Sequence, residues 1–254
     1  MKIVKSKICT CVLYAHAFWI PIIHCDIFSA LCKLQELPGK EKELISTFDR
    51  FLSKKRETSD IRDLKRFVDD MRYANKLISK NPRCLENPVN SYKFLYRIVA
   101  VWGQRLQQYS NCSVQDNTSL PYFINSVYNN SQSMSTWPNQ TDLDGAGLAL
   151  IRIGNAYNIN SRRFHSGIFA SSTISNLTGF DVLNIGLTAS RVDHLYDAKK
   201  WLTDAIHLLS TERNTIDLIV RAYRSLGNIY NRLNAPQLAV DVLKQALTIG
   251  KYIY

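Results

Sequence analysis

LTGFDVLNIGLTASRVDHLYDAKKWLTDAIHLL, residues 177–209, is followed 41 residues later by LIVRAYRSLGNIYNRLNAPQLAVDVLKQALTIG, residues 218–250. In the first copy Gly186 is followed by Ala198, Leu202 and Ala205, and in the second Gly227 is followed by Ala239, Leu243 and Ala246. The offsets from the glycine, 12, 16 and 19 residues, are the same in both. Small residues at these positions let one helix approach its antiparallel neighbour closely, so each copy predicts a pair of packed helices. The second copy carries Tyr223, Leu226 and Tyr230 at the large positions, where the first has Val182, Ile185 and Ala189. Stacked helix pairs predict an all-α chain whose carboxy-terminal part is an α-solenoid, an architecture that serves binding far more often than catalysis.

The period and the small/large pattern are those of tetratricopeptide repeats. In such repeats the first helix of each pair lines a concave face at three- and four-residue steps. That rule selects Phe180, Leu183, Leu187 and Ser190 from the first copy, and Arg221, Arg224, Asn228 and Asn231 from the second, as candidate peptide contacts.

Upstream, residues 26–106 read as a helical arm, extended and coiled-coil-like. Ile61, Leu64, Val68, Met71, Asn75 and Ile78 step by three and four residues, the spacing of a helix seam with one polar member. Such an asparagine either fixes register in a buried seam or sits on an exposed turn. Ile27, Leu31 and Leu34 begin a similar stripe, which Pro38-Gly39 is expected to kink or break before Ile45, Phe48 and Leu52 resume it. The run Lys40-Glu41-Lys42-Glu43 reads as a solvated helix face. Asn81-Pro82 and Asn87-Pro88 mark a turn, and a helix with Tyr92, Leu95, Tyr96, Val99 and Trp102 follows. A hairpin of this kind is a usual dimer seam. Residues 107–140, rich in Ser, Asn and Gln, read as a polar linker. A second domain, 141–254, opens with a helix capped by Asp142, and 158–175 read as loop.

The amino terminus has a basic start (Lys2, Lys5, Lys7), an apolar run from Ile8 to Ile23 and a cut expected after Cys25. The run falls short of the ~20 residues a bilayer needs. Residues 1–25 are therefore expected to be a cleaved signal peptide, and no later segment reads as transmembrane. Removing them takes three lysines and no acid from a formal charge of +11, leaving +8. The remaining charges are interleaved, and a secretory route meets no nucleic acid, so that partner class is set aside. Three cysteines then remain, Cys32, Cys84 and Cys112, and the sequence leaves their pairing open. Sequons at Asn111, Asn117, Asn129, Asn139 and Asn176 predict a glycoprotein of the endoplasmic reticulum lumen or an exported one.

Three stretches resemble the N-terminal region of collagen prolyl 4-hydroxylase α-subunits. Trp137-Pro138, then Asp142-Leu143-Asp144-Gly145-Ala146, Ala149-Leu150-Ile151-Arg152-Ile153 and Ala156-Tyr157-Asn158-Ile159, is similar to that family's aromatic-Pro, Asp-Leu-x-Gly-Ala, Ala-Leu-Leu-Arg-Leu and Thr-Tyr-Asn-Leu. Asn87-Pro88-Val89-Asn90-Ser91-Tyr92-Lys93 with Trp102 resembles its His-Pro-Val-Asn-Ala-Phe-Lys and downstream Trp. Leu177-Thr178, Gly186, Tyr196, Trp201 and Ala205 resemble its first repeat.

The resemblance implies a lumenal α2β2 assembly with protein disulfide isomerase as β-subunit, homodimerisation through the N-terminal helices, and a helical domain for proline-rich peptide. It adds Tyr157 and Tyr196 to the candidate peptide contacts. The family's catalytic domain uses Fe(II), 2-oxoglutarate and ascorbate. It is missing from these residues, so the chain is expected to hold no catalytic or metal site and to be inactive alone. Counted from the shared alanines, Ser190, Asn228 and Asn231 stand where the family sets tyrosines in its groove, whereas a gap would put Tyr230 on one of those positions; the ungapped match predicts weakened or altered binding of proline-rich peptide. The expected function is the non-catalytic, peptide-binding and dimerising part of such an α-subunit. The alternative is a non-enzymatic lumenal adaptor for polar or acidic extended peptides.

Overall fold

The computed structural model describes residues 31–110, 137–166 and 176–251. The expected signal peptide, the side chain of Cys32, Cys112 and the sequons at Asn111, Asn117 and Asn129 lie outside them. Among the described residues every regular element is helical.

The arm begins with α1 (Leu31–Leu52) and α2 (Ser59–Lys80), which pack as a hairpin. Thr58 caps α2, its hydroxyl accepting from Ile61 N at 3.3 Å. A 3₁₀ turn over Pro82–Glu86 leads to α3 (Pro88–Tyr96), which Asn87 caps and Pro88 opens at the first position, where a missing N–H costs nothing. A π turn, Arg97–Trp102, and α4 (Gly103–Ser110) continue the same rod. The stripe of α2 is buried as its spacing predicts, at Ile61, Leu64, Val68, Asn75 and Ile78. It packs against α1 of the same chain, however, so this seam closes the hairpin itself.

Helix α1 differs from expectation at two residues, Pro38 and Glu41. Pro38 does not end α1, which runs through it. The turn weakened by proline is held from α2, where Asn75 Nδ2 donates to Pro38 O and to Glu41 Oε2, each at 2.9 Å. Asn75 is thus the buried, register-fixing member of the seam. Glu41, in turn, is not solvated: it is fully buried. Arg97 meets it bidentately, Nε to Oε1 at 2.9 Å and Nη2 to Oε2 at 2.7 Å, and Trp102 Nε1 donates to Oε1 at 3.0 Å. Arg97 and Trp102 are five residues apart, and the wider π turn brings them onto one face. Trp102 is completely enclosed, with Phe67 edge-on at 4.9 Å and Phe48 at 5.6 Å.

The rest comprises α5 (Gln140–Ala156), the short α6 (Ser161–His165), α7 (Gly179–Arg191), α8 (Leu195–Leu209), α9 (Ile216–Arg232) and α10 (Pro236–Gly250). Asn139, not Asp142, caps α5. Asp142 sits at the third helical position and completes a capping box by accepting from Asn139 N at 2.8 Å. Part of the expected loop 158–175 is α6, whose Phe164 is buried and stacks with Trp201 at 6.1 Å.

The helix pairs α7/α8 and α9/α10 repeat in space as in sequence. Both turns carry a positive-φ residue at equivalent positions, Asp193 at 69° and Asn234 at 55°. Both close with the same bond, His194 N to Ala189 O and Ala235 N to Tyr230 O, each 2.9 Å. A left-handed residue just past a helix end satisfies its last carbonyls, and Asp and Asn tolerate that conformation. The two glycines stand at the crossings. A Cβ on Gly186 would lie 3.0 Å from the Leu202 side chain and 3.2 Å from its backbone nitrogen, and one on Gly227 would lie 2.7 Å from Leu243 Cγ. One hydrophobic core joins the arm to the repeats, from Leu34 to Ile229.

Glu41→Gln strands the Arg97 guanidinium in the interior and is expected to destabilise the full chain by about 3–5 kcal/mol in urea unfolding. The exposed neighbour change Glu43→Gln should stay within about 0.5 kcal/mol. Gly186→Ala should cost about 1–3 kcal/mol in the same assay despite alanine's better helix propensity, because Leu202 is fully buried and part of the clash is backbone. A stabilised G186A protein would contradict the tight crossing.

Candidate peptide-binding groove

Helix α7 starts from a capping box. Thr178 Oγ1 accepts from Asp181 N at 3.2 Å, and Asp181 Oδ2 accepts from Thr178 N at 2.8 Å. The arm takes hold of this same end. Lys93 Nζ lies 3.3 Å from the nearly buried Asp181 carboxylate and donates to Asn176 O at 2.8 Å. Further along α7, Thr188 Oγ1 and Arg191 Nη2 donate to Asp144 Oδ1 of α5 at 3.1 and 2.6 Å. Helix α5 is wedged between α3 and α7 at Gly147, where an added Cβ would stand 3.7 Å from both Tyr92 and Ile185. Helix α7 thus packs against α8, α5 and α9, and the arm meets it through Lys93.

The burial pattern of α7 leaves one accessible stripe, Phe180, Asn184, Leu187 and Arg191, at steps of four, three and four. Phe180 and Leu187 were selected from the sequence and lie on it. Leu183 was also selected, but it is fully buried and is removed from the candidate contacts. Ser190 is half-buried, and its carbonyl accepts from Arg232 Nη1 at 2.9 Å. Arg232 also pairs with Asp193, tying α9 to the end of α7.

On α9, Arg221 and Asn228 are exposed seven residues apart on one helix face, with Arg232 alongside. Arg224 and Asn231 are exposed as well, but Arg224 belongs to a different feature. With Val220, Leu243, Ala246, Leu247, Gly250 and Lys251 it lines an apolar trough of about 580 Å³ between α9 and α10. Asn231, seven residues on, shares its side of the helix. Tyr157 and Tyr196 are each 74% exposed. Asn155 Nδ2 donates to Asp197 Oδ1 at 2.9 Å, which brings the end of α5, next to Tyr157, to the start of α8, next to Tyr196. Lys199 Nζ lies 5.8 Å from the Tyr196 ring centre. Trp201, by contrast, is core.

Sequence reasoning missed Asn184, Arg191 and Tyr96. Asn184 Nδ2 is shielded and meets no hydrogen-bond partner among the described residues. Tyr96, from the arm, is half-buried and meets Phe180 edge-on at 5.7 Å. Burial, then the Asp181 carboxylate, push its phenol above the ordinary tyrosine range, while Arg221 opposes them. Tyr92 behind it is raised further, again first by burial and then by Asp181. The signal that could have found Tyr96 is its four-residue step from Tyr92 on the same helix.

Other chemistry is sparse. Cys84 is a free, buried thiol whose pKa burial raises. No three His, Cys, Asp or Glu side chains converge among the described residues. The sequence's one His-x-Asp, His24-Cys25-Asp26, lies outside them. No helix among the described residues is long and apolar enough to cross a membrane. Asn139 and Asn176, the two described sequon asparagines, are exposed.

A helical arm packed onto stacked helix pairs, with a partly accessible stripe along the first repeat helix, defines an all-helical scaffold. A family model described as the prolyl 4-hydroxylase α-subunit N-terminal region matches residues 30–171, more than half of the sequence, and the chain belongs to that family. Among curated proteins it is similar to prolyl 4-hydroxylase subunit alpha-2 of Caenorhabditis elegans, 26% identical over 193 residues that make up 75% of this chain and 34% of that protein. It is also similar to subunit alpha-3 of Bos taurus, 25% identical over 233 residues, 82% of this chain and 40% of that one. Subunit alpha-1 of Homo sapiens is 23% identical over 201 residues, 78% and 36% respectively. The chain thus matches between a third and two fifths of the length of these relatives.

The tyrosine shifts set a pH dependence. A phenol whose folded pKa lies above its unfolded value of about 10 contributes stability that is complete below that pH and lost as pH rises through the folded pKa. Unfolding free energy should therefore fall more steeply between pH 9 and 11 in the wild type than in Tyr92→Phe. Identical slopes in denaturant titrations would contradict the buried phenol.

Proposed function

We propose that this chain acts as the non-catalytic N-terminal part of a prolyl 4-hydroxylase α-subunit-like protein, in the endoplasmic reticulum lumen or outside the cell. It holds extended peptide along α7 and self-associates through the arm. In that role it supports procollagen-proline 4-hydroxylation by an Fe(II)/2-oxoglutarate domain whose ligands the described residues do not supply. The observation that carries the reading is the partly accessible stripe Phe180–Asn184–Leu187, which the arm meets through Tyr96, with the exposed Arg221 of α9 close enough to act on that phenol. Apolar side chains with a polar rim suit an extended peptide, whose side chains need pockets and whose backbone needs donors. Self-association is supported by Tyr73 and Leu77, which α2 leaves exposed one helical turn apart on the face its own hairpin does not use. A β-subunit such as protein disulfide isomerase is the expected second partner.

A second reading, a non-enzymatic adaptor for acidic or polar extended peptides, is favoured by the cations on α9. Arg221 is exposed beside the stripe, with polar Asn228 rather than an aromatic residue next along that face.

Calorimetric titration of the full chain with (Pro-Pro-Gly)5 and with a glutamate-rich peptide of equal length separates the two. The first reading expects binding of (Pro-Pro-Gly)5 that Leu187→Ser weakens. At least tenfold tighter binding of the acidic peptide, lost in Arg221→Ala, would establish the adaptor instead. If neither peptide binds, both readings fail.

A further inference from the structure

We infer that the groove is composite: Tyr96 of the arm, set edge-on against Phe180, forms an aromatic corner that seats one apolar residue of an extended peptide, and Leu187 seats the third residue after it. This rests on the peptide-binding reading above and adds a contact that the repeat pattern does not contain.

The geometry comes from three observations. Tyr96 and Phe180 are both half-buried, so each keeps an accessible edge while its remainder is fixed by the 5.7 Å contact. The corner does not drift, because Lys93, one turn before Tyr96, is bonded to Asn176 O and paired with Asp181 on either side of Phe180 in sequence. The spacing to Leu187 also fits. Seven helical residues rise about 10.5 Å, and three residues of polyproline II advance about 9.3 Å and return to the same face. A peptide lying along α7 in that conformation therefore presents its residues i and i+3 to the corner and to Leu187. Between them stands Asn184, whose shielded amide lacks a partner and can turn to meet a peptide carbonyl.

The test uses the full chain and (Pro-Pro-Gly)5, with Tyr96→Phe and Tyr96→Leu compared with wild type in calorimetry and thermal unfolding. Tyr96→Phe should bind within about twofold of wild type, and Tyr96→Leu should bind about five- to tenfold more weakly at an unchanged melting temperature. Unchanged affinity in Tyr96→Leu, with Leu187→Ser weakened, removes Tyr96 from the site while leaving the peptide-binding reading intact. Absence of binding by the wild type ends both. Should Tyr96→Leu unfold early, the wild-type Tyr96 ring resonances decide: they must shift as (Pro-Pro-Gly)5 saturates the protein, and a shift confined to repeat residues overturns the inference.

Discussion

A single buried carboxylate organises the amino-terminal half of this protein. Glu41 receives four hydrogen bonds from three residues on two other elements: Asn75 of α2, and Arg97 and Trp102 of the π turn. Burying an anion is costly unless it is paired and its lone pairs are filled, and here both conditions are met. The same contacts explain otherwise separate oddities. They account for an asparagine in an apolar seam, a helix that tolerates proline, and a widened turn ahead of the innermost tryptophan. Each supplies or permits one bond to the same two oxygen atoms.

From that anchor the order passes outward. The rod begun by α3 carries Tyr92 and Lys93 into the repeats, where α5 closes over Tyr92 and Lys93 grips the start of α7. The arm and the repeats share a core, so the accessible stripe of α7 is positioned by residues far from it in sequence. A motion of the arm would reach α7 through the Lys93–Asp181 pair and the Tyr96–Phe180 contact.

The repeats were legible because close helix crossings demand small residues at fixed spacing, and Gly186 and Gly227 advertise it. The α2 stripe was legible for the same reason, a period visible without knowing the partner. Glu41 was hidden because alternating Lys and Glu around it match an exposed face, and no local pattern reveals that Arg97 lies across the hairpin. The accessible side of α7 was half legible. Step counting named Phe180 and Leu187, which stay partly accessible, and also Leu183, which is buried, because a wheel gives faces without saying which neighbour covers each. Arg224 went to the trough beside α10 for the same reason. Tyr96 could not come from a repeat-based count, since it arrives from another part of the chain.

The π turn carries a consequence for how the sequence can change. An ordinary α-helix over Arg97–Trp102 would rotate the indole away from the guanidinium by well over a quarter turn, so the stretch tolerates substitution more readily than a change of length. Removing one residue there would restore a regular spiral and strip the carboxylate of a donor, with the indole nitrogen left dry and unmatched. Gaps between homologous sequences should accordingly avoid these six positions, even where the surrounding side chains have drifted beyond recognition.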